Sequence, residues 1–383
     1  MEQRDPQDDA QNEKPFGTFF FPGPTEVRKD ILKAMVRQPI PHRGPAFHEI
    51  FSRVQAGMRD VFQTERPVYV LTSSGTGGME SAIRCAPRGR ILALVNGAFG
   101  ERFVKLANAC GREVDQMDFE PGDVPDAAQV ARRLGSTSYS ALTMIHNESS
   151  TGALADVRAI AGVARGAGVL TIVDSVSGIG GARLEFDAWG VDCVVSASQK
   201  ALALPTGLAF AVVSERYFEA VRGVEDRGVY FDLLDFDAHG RNDETPATPA
   251  VSLIFALDRQ LGAIAAEGIE ARWSRHEAMR STMERWVAST RDSVDIDISI
   301  FAKEGVHSPT VTAVSLPDGM VSTDLVRKVG ERGYTIGTGY GVLRSKTFRV
   351  GHMGDHTVAG LEACLDAVAD GLRAMRGQGS TNS

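Results

Sequence analysis

An α/β protein is predicted, with a large, mostly parallel seven-stranded sheet and a smaller C-terminal α+β domain. Two observations predict it. From about residue 68 to 214, short apolar, β-branched runs alternate with longer amphipathic stretches. Beyond residue 214 that alternation gives way to a loop-rich aromatic stretch, a long helical region and only two further strands. Strands that alternate with helices form parallel sheets covered on both faces.

The seven runs are VYVLTSS (68–74), ILALV (91–95), EVDQMDF (113–119), ALTMIHN (141–147), LTIVDSV (170–176), VDCVVSAS (191–198) and LAFAVVS (208–214). Helix-length segments lie between several of them, such as GGMESAIRCA, GERFVKLANAC and VRAIAGVARGAG. The last ends in glycine just before a strand, as helix C-caps do. In the second part, YFDLLDFDAHGRNDETPATP reads as loop and roughly 249–290 as one long helical region. SPTVTAVSL reads as a strand, STDLVRKVGERG as a helix, KTFRVGHM as a strand, and 356–375 as a last helix. The expected division is a large domain with an N-terminal arm over 15–260 and a small domain over 261–376. The polar stretches 1–14 and 377–383 are expected as disordered tails.

The chain has 383 residues, enough to bury a large core. Its formal net charge of -8 disfavours a general nucleic-acid or anionic-membrane surface. No run approaches the roughly 18 apolar residues that span a bilayer. The first fourteen residues are polar and acid-rich, unlike a secretory signal or a transit peptide. The expected location is the cytoplasm. Cys85, Cys110, Cys193 and Cys364 are scattered, with no metal-like spacing, and read as reduced thiols. No metal is expected.

In parallel sheets ligands sit beyond the carboxyl ends of the strands. Lys200 follows VDCVVSAS. Alone it reads more readily as a solvated surface lysine, but a lysine in a partly buried pocket is an amine nucleophile. Asp174 ends LTIVD and is either a helix N-cap or a functional carboxylate. Together, on successive strands, the two supply what pyridoxal-phosphate chemistry needs: an amine for the cofactor's aldehyde and a carboxylate against its pyridine nitrogen. SSGTGG (73–78) joins a strand to a helix, where backbone N–H groups and the helix dipole favour a phosphate; many such turns only make a tight corner. GxxxxGK[ST] is absent, so a nucleotide P-loop is not supported. HNESSTG (146–152) offers hydroxyls for a cofactor or for a helix cap. Phe99 is either core or a lid on a flat ring. Arg349, in KTFRVGHM, needs a partner: a substrate carboxylate or a structural salt bridge.

The ordered series FFFPGPTEV, HRGPAFHEIF, VLTSSGTGGME, LVNGAFGER, HNESSTG, IVDSVSGIGG, SASQKAL, TPATPAVSL, SPTVTAV and FRVGHMG resembles the class V aminotransferases of the fold-type I pyridoxal-phosphate transferases. Within them it is most similar to the alanine–glyoxylate and serine–pyruvate group. The resemblance covers about Phe19 to Ala374. It implies pyridoxal 5'-phosphate as cofactor, with Lys200 as its covalent anchor and proton carrier and Asp174 on the pyridinium nitrogen. It further implies Phe99 on the ring, Gly75, Thr76 and Gln199 at the phosphate, and Ser149 beside the 3-hydroxyl. Arg349 would take the substrate α-carboxylate, with the Gly23 backbone facing the same space. Thr248 would reach the phosphate of a partner subunit, with the register of ETPATPA open by one residue. Some relatives carry a tyrosine slightly upstream of this threonine; here Glu244 lies nearby instead. Arg43 and His42 either line the partner's site or are structural. A homodimer is implied, with the loop 230–248 at the interface.

The implied reaction is ping-pong transfer of an amino group from a small L-amino acid, alanine or serine, to glyoxylate or pyruvate. Three alternatives stand beside it. One is a different donor: aspartate, phosphoserine, aminoethylphosphonate or ureidoglycine. Another is a lyase such as a cysteine desulfurase, although Gln199 stands where those relatives carry histidine and no cysteine lies between Cys193 and Cys364. The third is a non-catalytic cofactor-binding protein.

Overall fold

The structure is a computed structural model describing residues 17–379, with side chains as far as residue 376. The expected tail 1–14 lies outside the described residues. Of the expected tail 377–383, residues 377–379 continue the last helix and the remainder lies outside the described residues.

Thr18–Phe20 forms β1, and the helices Lys29–Met35 and Pro45–Phe62 follow. β2 (Tyr69–Leu71), β3 (Ile91–Val95), β4 (Val114–Asp118) and β5 (Ala141–Ile145) are separated by the helices Gly75–Cys85, Ala98–Ala109 and Ala127–Ser136. A short hairpin, β6 (Asn147–Glu148) and β7 (Ala153–Leu154), precedes the helix Val157–Gly166. β8 (Leu170–Asp174), β9 (Cys193–Ala197) and β10 (Ala209–Val213) complete the run. After the helices Glu215–Val221, Leu233–Gly240, Val251–Glu267 and Ile269–Val294 come β11 (Ser299–Ile300), β12 (Val311–Ser315), the helix Ser322–Gly330, β13 (Tyr334–Thr338), β14 (Thr347–Gly351) and the helix Val358–Gly379.

The seven expected strands make one sheet, in the order β2-β10-β9-β8-β5-β3-β4. β9, β8, β5, β3 and β4 pair in parallel; β10 pairs antiparallel with both β9 and β2, so it alone runs against the others. Alternate side chains feed two cores. Val194, Phe210, Val212, Leu92 and Leu94 point to one face, under the helices Pro45–Phe62, Val157–Gly166 and Val251–Glu267. Cys193, Val195, Ala209, Ala211 and Ile91 point to the other, under Gly75–Cys85 and Ala98–Ala109. Burial of both faces explains why these strands read as apolar runs rather than as alternating ones. Each fully buried large aliphatic or phenylalanine side chain contributes about 1.5–3 kcal/mol of transfer free energy.

The second sheet, β1-β13-β14-β12-β11, packs on the helices Ile269–Val294, Ser322–Gly330 and Val358–Gly379. Four strands rather than the two expected follow residue 214, because the short β11 and the half-buried β13 join β12 and β14, and two further expectations also need correction. The helical region expected over roughly 249–290 is built from two helices that meet at Gly268, whose φ of 82° lies in the left-handed region that favours glycine. The aromatic loop contains the helix Leu233–Gly240, capped by Asp232. β1, from the N-terminal arm, joins the second sheet through parallel pairing with β13. Among the described residues no helix is long and apolar enough to cross a membrane.

Candidate active site

The carboxyl ends of β2, β3, β5, β8 and β9 share one edge of the large sheet, and a two-lobed cleft opens there. One lobe, about 360 Å³, is lined by Ser74, Gly75, Thr76, Phe99, Asp174 and Gln199 among others. The second, about 370 Å³, is lined by Ser149, Thr338, Arg344 and Arg349 among others. Gly23, Phe99, Lys200 and Tyr340 border both.

Lys200 lies in the loop from β9 to β10. Ser198 closes the base of that loop: its N–H donates to Leu208 O, its Oγ donates to Pro205 O at 2.7 Å, and Leu208 N–H donates back to the Oγ at 3.2 Å. Both neighbours of the lysine are tied. Thr25 N–H donates to Gln199 O at 3.0 Å, and Arg272 Nη2 donates to Ala201 O at 2.8 Å. The Lys200 amine donates to Pro22 O. Burial, with Arg349 nearby, lowers its pKa from 10.5 to about 8, so the free amine is a minor but far larger share near neutral pH than for an ordinary lysine. A Cβ on Gly23 would lie 2.5 Å from Lys200 Nζ, so only glycine leaves the lysine its place.

Asp174 ends β8 and is 4% exposed. Its Oδ1 accepts from Val176 N–H at 2.7 Å, which is the carboxyl's one hydrogen bond among the described residues. Burial pushes its pKa up to about 6, opposed by the Val176 bond. A buried carboxyl held this way gains most from a cation placed against it.

The helix Gly75–Cys85 begins at this lobe without a cap. The helices starting at Ala127, Val157 and Glu215 are capped by the side chains of Asp126, Asp156 and Ser214, whereas Ser74 makes no capping bond. The N–H groups of Gly75 and Thr76 meet no acceptor among the described residues. Gln199 Oε1 is buried with no partner in the same lobe. A Cβ at Gly75 would press on Val176 at 2.7 Å and on Ala197 at 3.2 Å. The lobe therefore presents free donors, and a helix start held close to the strand ends, to an anion.

Phe99 stacks on Tyr340, centroids 5.6 Å apart, and Arg102 lies 4.7 Å above the Phe99 ring. Glu148, fully buried, holds this helix start by accepting from Phe99 N–H at 3.0 Å and Gly100 N–H at 3.3 Å, while also accepting from Ser150. Arg349 is 7% exposed. Its Nε donates to Thr338 O and its Nη1 to Ser149 O, both at 2.9 Å. No carboxylate pairs with it among the described residues, which leaves the structural salt bridge without a partner. Burial lowers its pKa to about 10. That is still far above neutral pH, so the guanidinium stays charged.

The cleft thus brings together Lys200, Asp174, Gly75, Thr76, Phe99, Gln199 and Gly23, with Ser149 and Arg349 in the adjoining lobe. Thr248 is not among them. It lines a separate surface groove with Tyr230, His239 and Thr245. Arg43 pairs with Glu244, and His48 lies 3.2 Å from the same carboxylate, so the 244–248 segment is tied to the helix Pro45–Phe62. Sequence reading missed Tyr340, Arg102, Arg344, Thr206 and Glu148. An acid directly after an apolar strand marked Glu148, and glycines on both sides marked Tyr340. No cysteine lines either lobe. Burial raises the Cys85 and Cys364 thiols to about 12, and Cys193 well above its ordinary value.

Residues 28–353 match the family described as Aminotransferase class-V. The chain is 36% identical over 359 residues to an uncharacterized aminotransferase of Methanocaldococcus jannaschii, with 91% of each chain covered. It is 31% identical over 350 residues to the L-aspartate–glyoxylate aminotransferase of Paracoccus denitrificans, covering 89% of this chain and 87% of that one. Among solved structures, the alanine–glyoxylate aminotransferase of Nostoc sp. superposes with a TM-score of 0.87 at 29% identity, over 97% of this chain and 98% of the other.

Proposed function

The chain belongs to the class V aminotransferases, which are pyridoxal-phosphate enzymes, and from that premise we propose that it moves an amino group from a small L-amino acid to glyoxylate or pyruvate by a ping-pong mechanism. The observation that carries this reading is a cleft whose two lobes meet at Lys200, one rich in free donors and one holding an arginine with no carboxylate partner.

The residues present fit the cofactor. The uncapped helix start and the orphaned amide of Gln199 suit a phosphate. The buried Asp174 suits a ring nitrogen that carries a proton. Phe99 suits the ring face, and Ser149 the side of its 3-hydroxyl. When bound, the cofactor supplies an aldehyde that exchanges amines and a ring that accepts the electron pair left at the substrate Cα.

Lys200 first anchors the cofactor. Its amine, once released, would take the proton from the substrate Cα and deliver it to the carbon that had carried the cofactor's aldehyde, so the proton lost at one carbon is gained at the other. A pKa near 8 suits both directions at neutral pH. Asp174 keeps the ring nitrogen charged. Arg349 grips the α-carboxylate and so orients the Cα–H bond toward Lys200, with the Gly23 backbone closing that side. Alanine or serine needs no more than this single clamp. An aspartate donor, as in the name of the Paracoccus relative, needs a second cation.

The reading includes a cytoplasmic homodimer in which Thr248 serves the partner's phosphate; the exposed Val229 and Tyr230 beside its groove support that surface as an interface. It also includes a large domain over 15–260 and a small one over 261–376, with the break at Gly268 near their division. A lyase of the desulfurase kind is disfavoured, because the cleft offers no thiol.

Initial velocities at several fixed glyoxylate concentrations test the reaction. Parallel double-reciprocal lines are expected; intersecting lines, or turnover without a keto-acid acceptor, overturn it. Arg349→Gln is expected to lower kcat/KM about 10–150-fold for donor and acceptor alike, the loss of a charged hydrogen-bonding partner. Arg349→Lys should rescue little of it, since a point charge does not replace a planar fork. An unchanged KM in Arg349→Gln would remove the arginine from the substrate clamp.

A further inference from the structure

We propose that the lobe bearing Arg349 selects an amino donor with a negatively charged side chain, of the aspartate class, and that Arg344 is its specificity-determining residue. This rests on the transamination reading and reorders its donors, aspartate ahead of alanine and serine.

Arg349 accounts for one carboxylate. Arg344 lines the same lobe, and its side chain makes no ion pair or hydrogen bond among the described residues. Many other arginines of this acidic chain find an acid: Arg53 with Asp258, Arg84 with Glu80, Arg327 with Glu331. The Arg344 backbone, by contrast, is fixed. Its N–H donates to Gly341 O at 3.2 Å, and its carbonyl accepts from Ser322 Oγ at 2.6 Å. Ser322 is itself buried, and its N–H donates to Ser345 O. Gly339 closes the turn so tightly that a Cβ there would lie 2.0 Å from Leu343 O. The Arg344 side chain is exposed at the mouth of the lobe, and the anchored backbone sets where its unpaired guanidinium starts from.

The counter-charge is missing from the cleft. Asp174 is the one acid among the residues lining the two lobes, and it faces the cofactor lobe. Glu148 lies behind Phe99 and is saturated by Phe99, Gly100 and Ser150. Arg102 lines the cofactor lobe instead, where its Nη2 donates to Tyr340 Oη at 3.1 Å, so the charge facing a donor's side chain in the Arg349 lobe is that of Arg344. An alanine or serine side chain brings no charge to this surface, whereas a β-carboxylate pairs with it. Glyoxylate, with one carboxylate and no side chain, leaves Arg344 to water, so the selection falls on the donor half-reaction.

The test compares kcat/KM for L-aspartate, L-alanine and L-serine, all with glyoxylate, on the holoenzyme and on its Arg344→Met and Arg344→Gln variants. Aspartate is expected to lead by about two- to fivefold, the range of an exposed charged pair. That lead should collapse toward parity in both variants. Maleate, a dicarboxylate without an amino group, should bind the holoenzyme more tightly than acetate by calorimetry, and lose that advantage in Arg344→Met. Alanine or serine equal to or better than aspartate overturns the inference and leaves transamination standing. So does an aspartate preference that survives both variants, as far as Arg344 is concerned. No keto acid from any donor, with cofactor bound, overturns the transamination reading itself and this inference with it.

Discussion

Lys200→Ala is expected to lower transamination by on the order of 10⁴-fold or more, the upper range for a positioned acid–base group, because the same amine also anchors the cofactor. Lys200→Arg should fail as completely, since a guanidinium does not give up its proton near neutral pH. The loss is chemical rather than structural. Lys200 lies in a loop held by Ser198, Thr25 and Arg272, and none of those bonds involves its amine. The sign of the stability effect separates the two causes. A lysine lowered from 10.5 to about 8 on folding destabilises the folded state as pH falls from 10.5 through about 8. The cofactor-free Lys200→Ala protein should therefore melt no lower than the parent at pH 7. A thermal melt and a rate on the same preparation check both halves. An inactive variant with a collapsed melting temperature would instead make Lys200 structural.

Asp174→Asn is expected to trade activity for stability. The carboxyl is raised from 3.8 to about 6, with burial as the first cause. For an acid raised in the folded state, its favourable contribution is complete below the unfolded pKa and is lost as pH rises through the folded one. Between about pH 4 and 6 the cofactor-free protein thus accumulates the cost of a buried charge, about 1–3 kcal/mol by pH 7. Asparagine removes that cost. The variant should melt higher than the parent at pH 7 without cofactor, with the advantage shrinking through pH 6 and gone below about pH 4. With cofactor bound the order reverses, because the ring nitrogen loses its counter-charge. The rate should drop about 10²–10³-fold, the scale of removing one preorganised electrostatic partner. A variant that keeps its rate would place the ring nitrogen elsewhere.

Much of the fold was legible because both faces of the large sheet are buried. ILALV, ALTMI and AFAVV read as strands from apolarity and β-branching alone; the first two pair in parallel, whereas AFAVV runs antiparallel to both of its neighbours. β1 was not legible. TFF is three residues long, and its partner β13, Tyr334–Thr338, lies over three hundred residues away, so no local pattern announces the pairing. The helix Leu233–Gly240 was hidden by its acidic and histidine content. The break at Gly268 is legible as a glycine within an otherwise apolar helical pattern.

In the cleft, residues that close strands of the parallel sheet were legible, since topology alone sends strand ends to one edge. Asp174, Lys200 and Gly75 share that property. Tyr340 and Arg344 sit on a turn of the second sheet, and only the packing of that sheet against the first carries them to Lys200. Glu148 was read for the hydroxyls around it, whereas its own buried carboxylate organises the helix start that carries Phe99.

Lys200 and the two lobes around it perform half of a transamination with one donor at a time. The most direct test adds L-aspartate, L-alanine or L-serine to the holoenzyme in the absence of any keto acid, following the cofactor's visible absorbance and the keto acid released. Bleaching of the band with one keto acid released per subunit, reversed by glyoxylate, is the expected result. A band unmoved by every donor, or bleaching that releases ammonia rather than retaining the amino group, would contradict it.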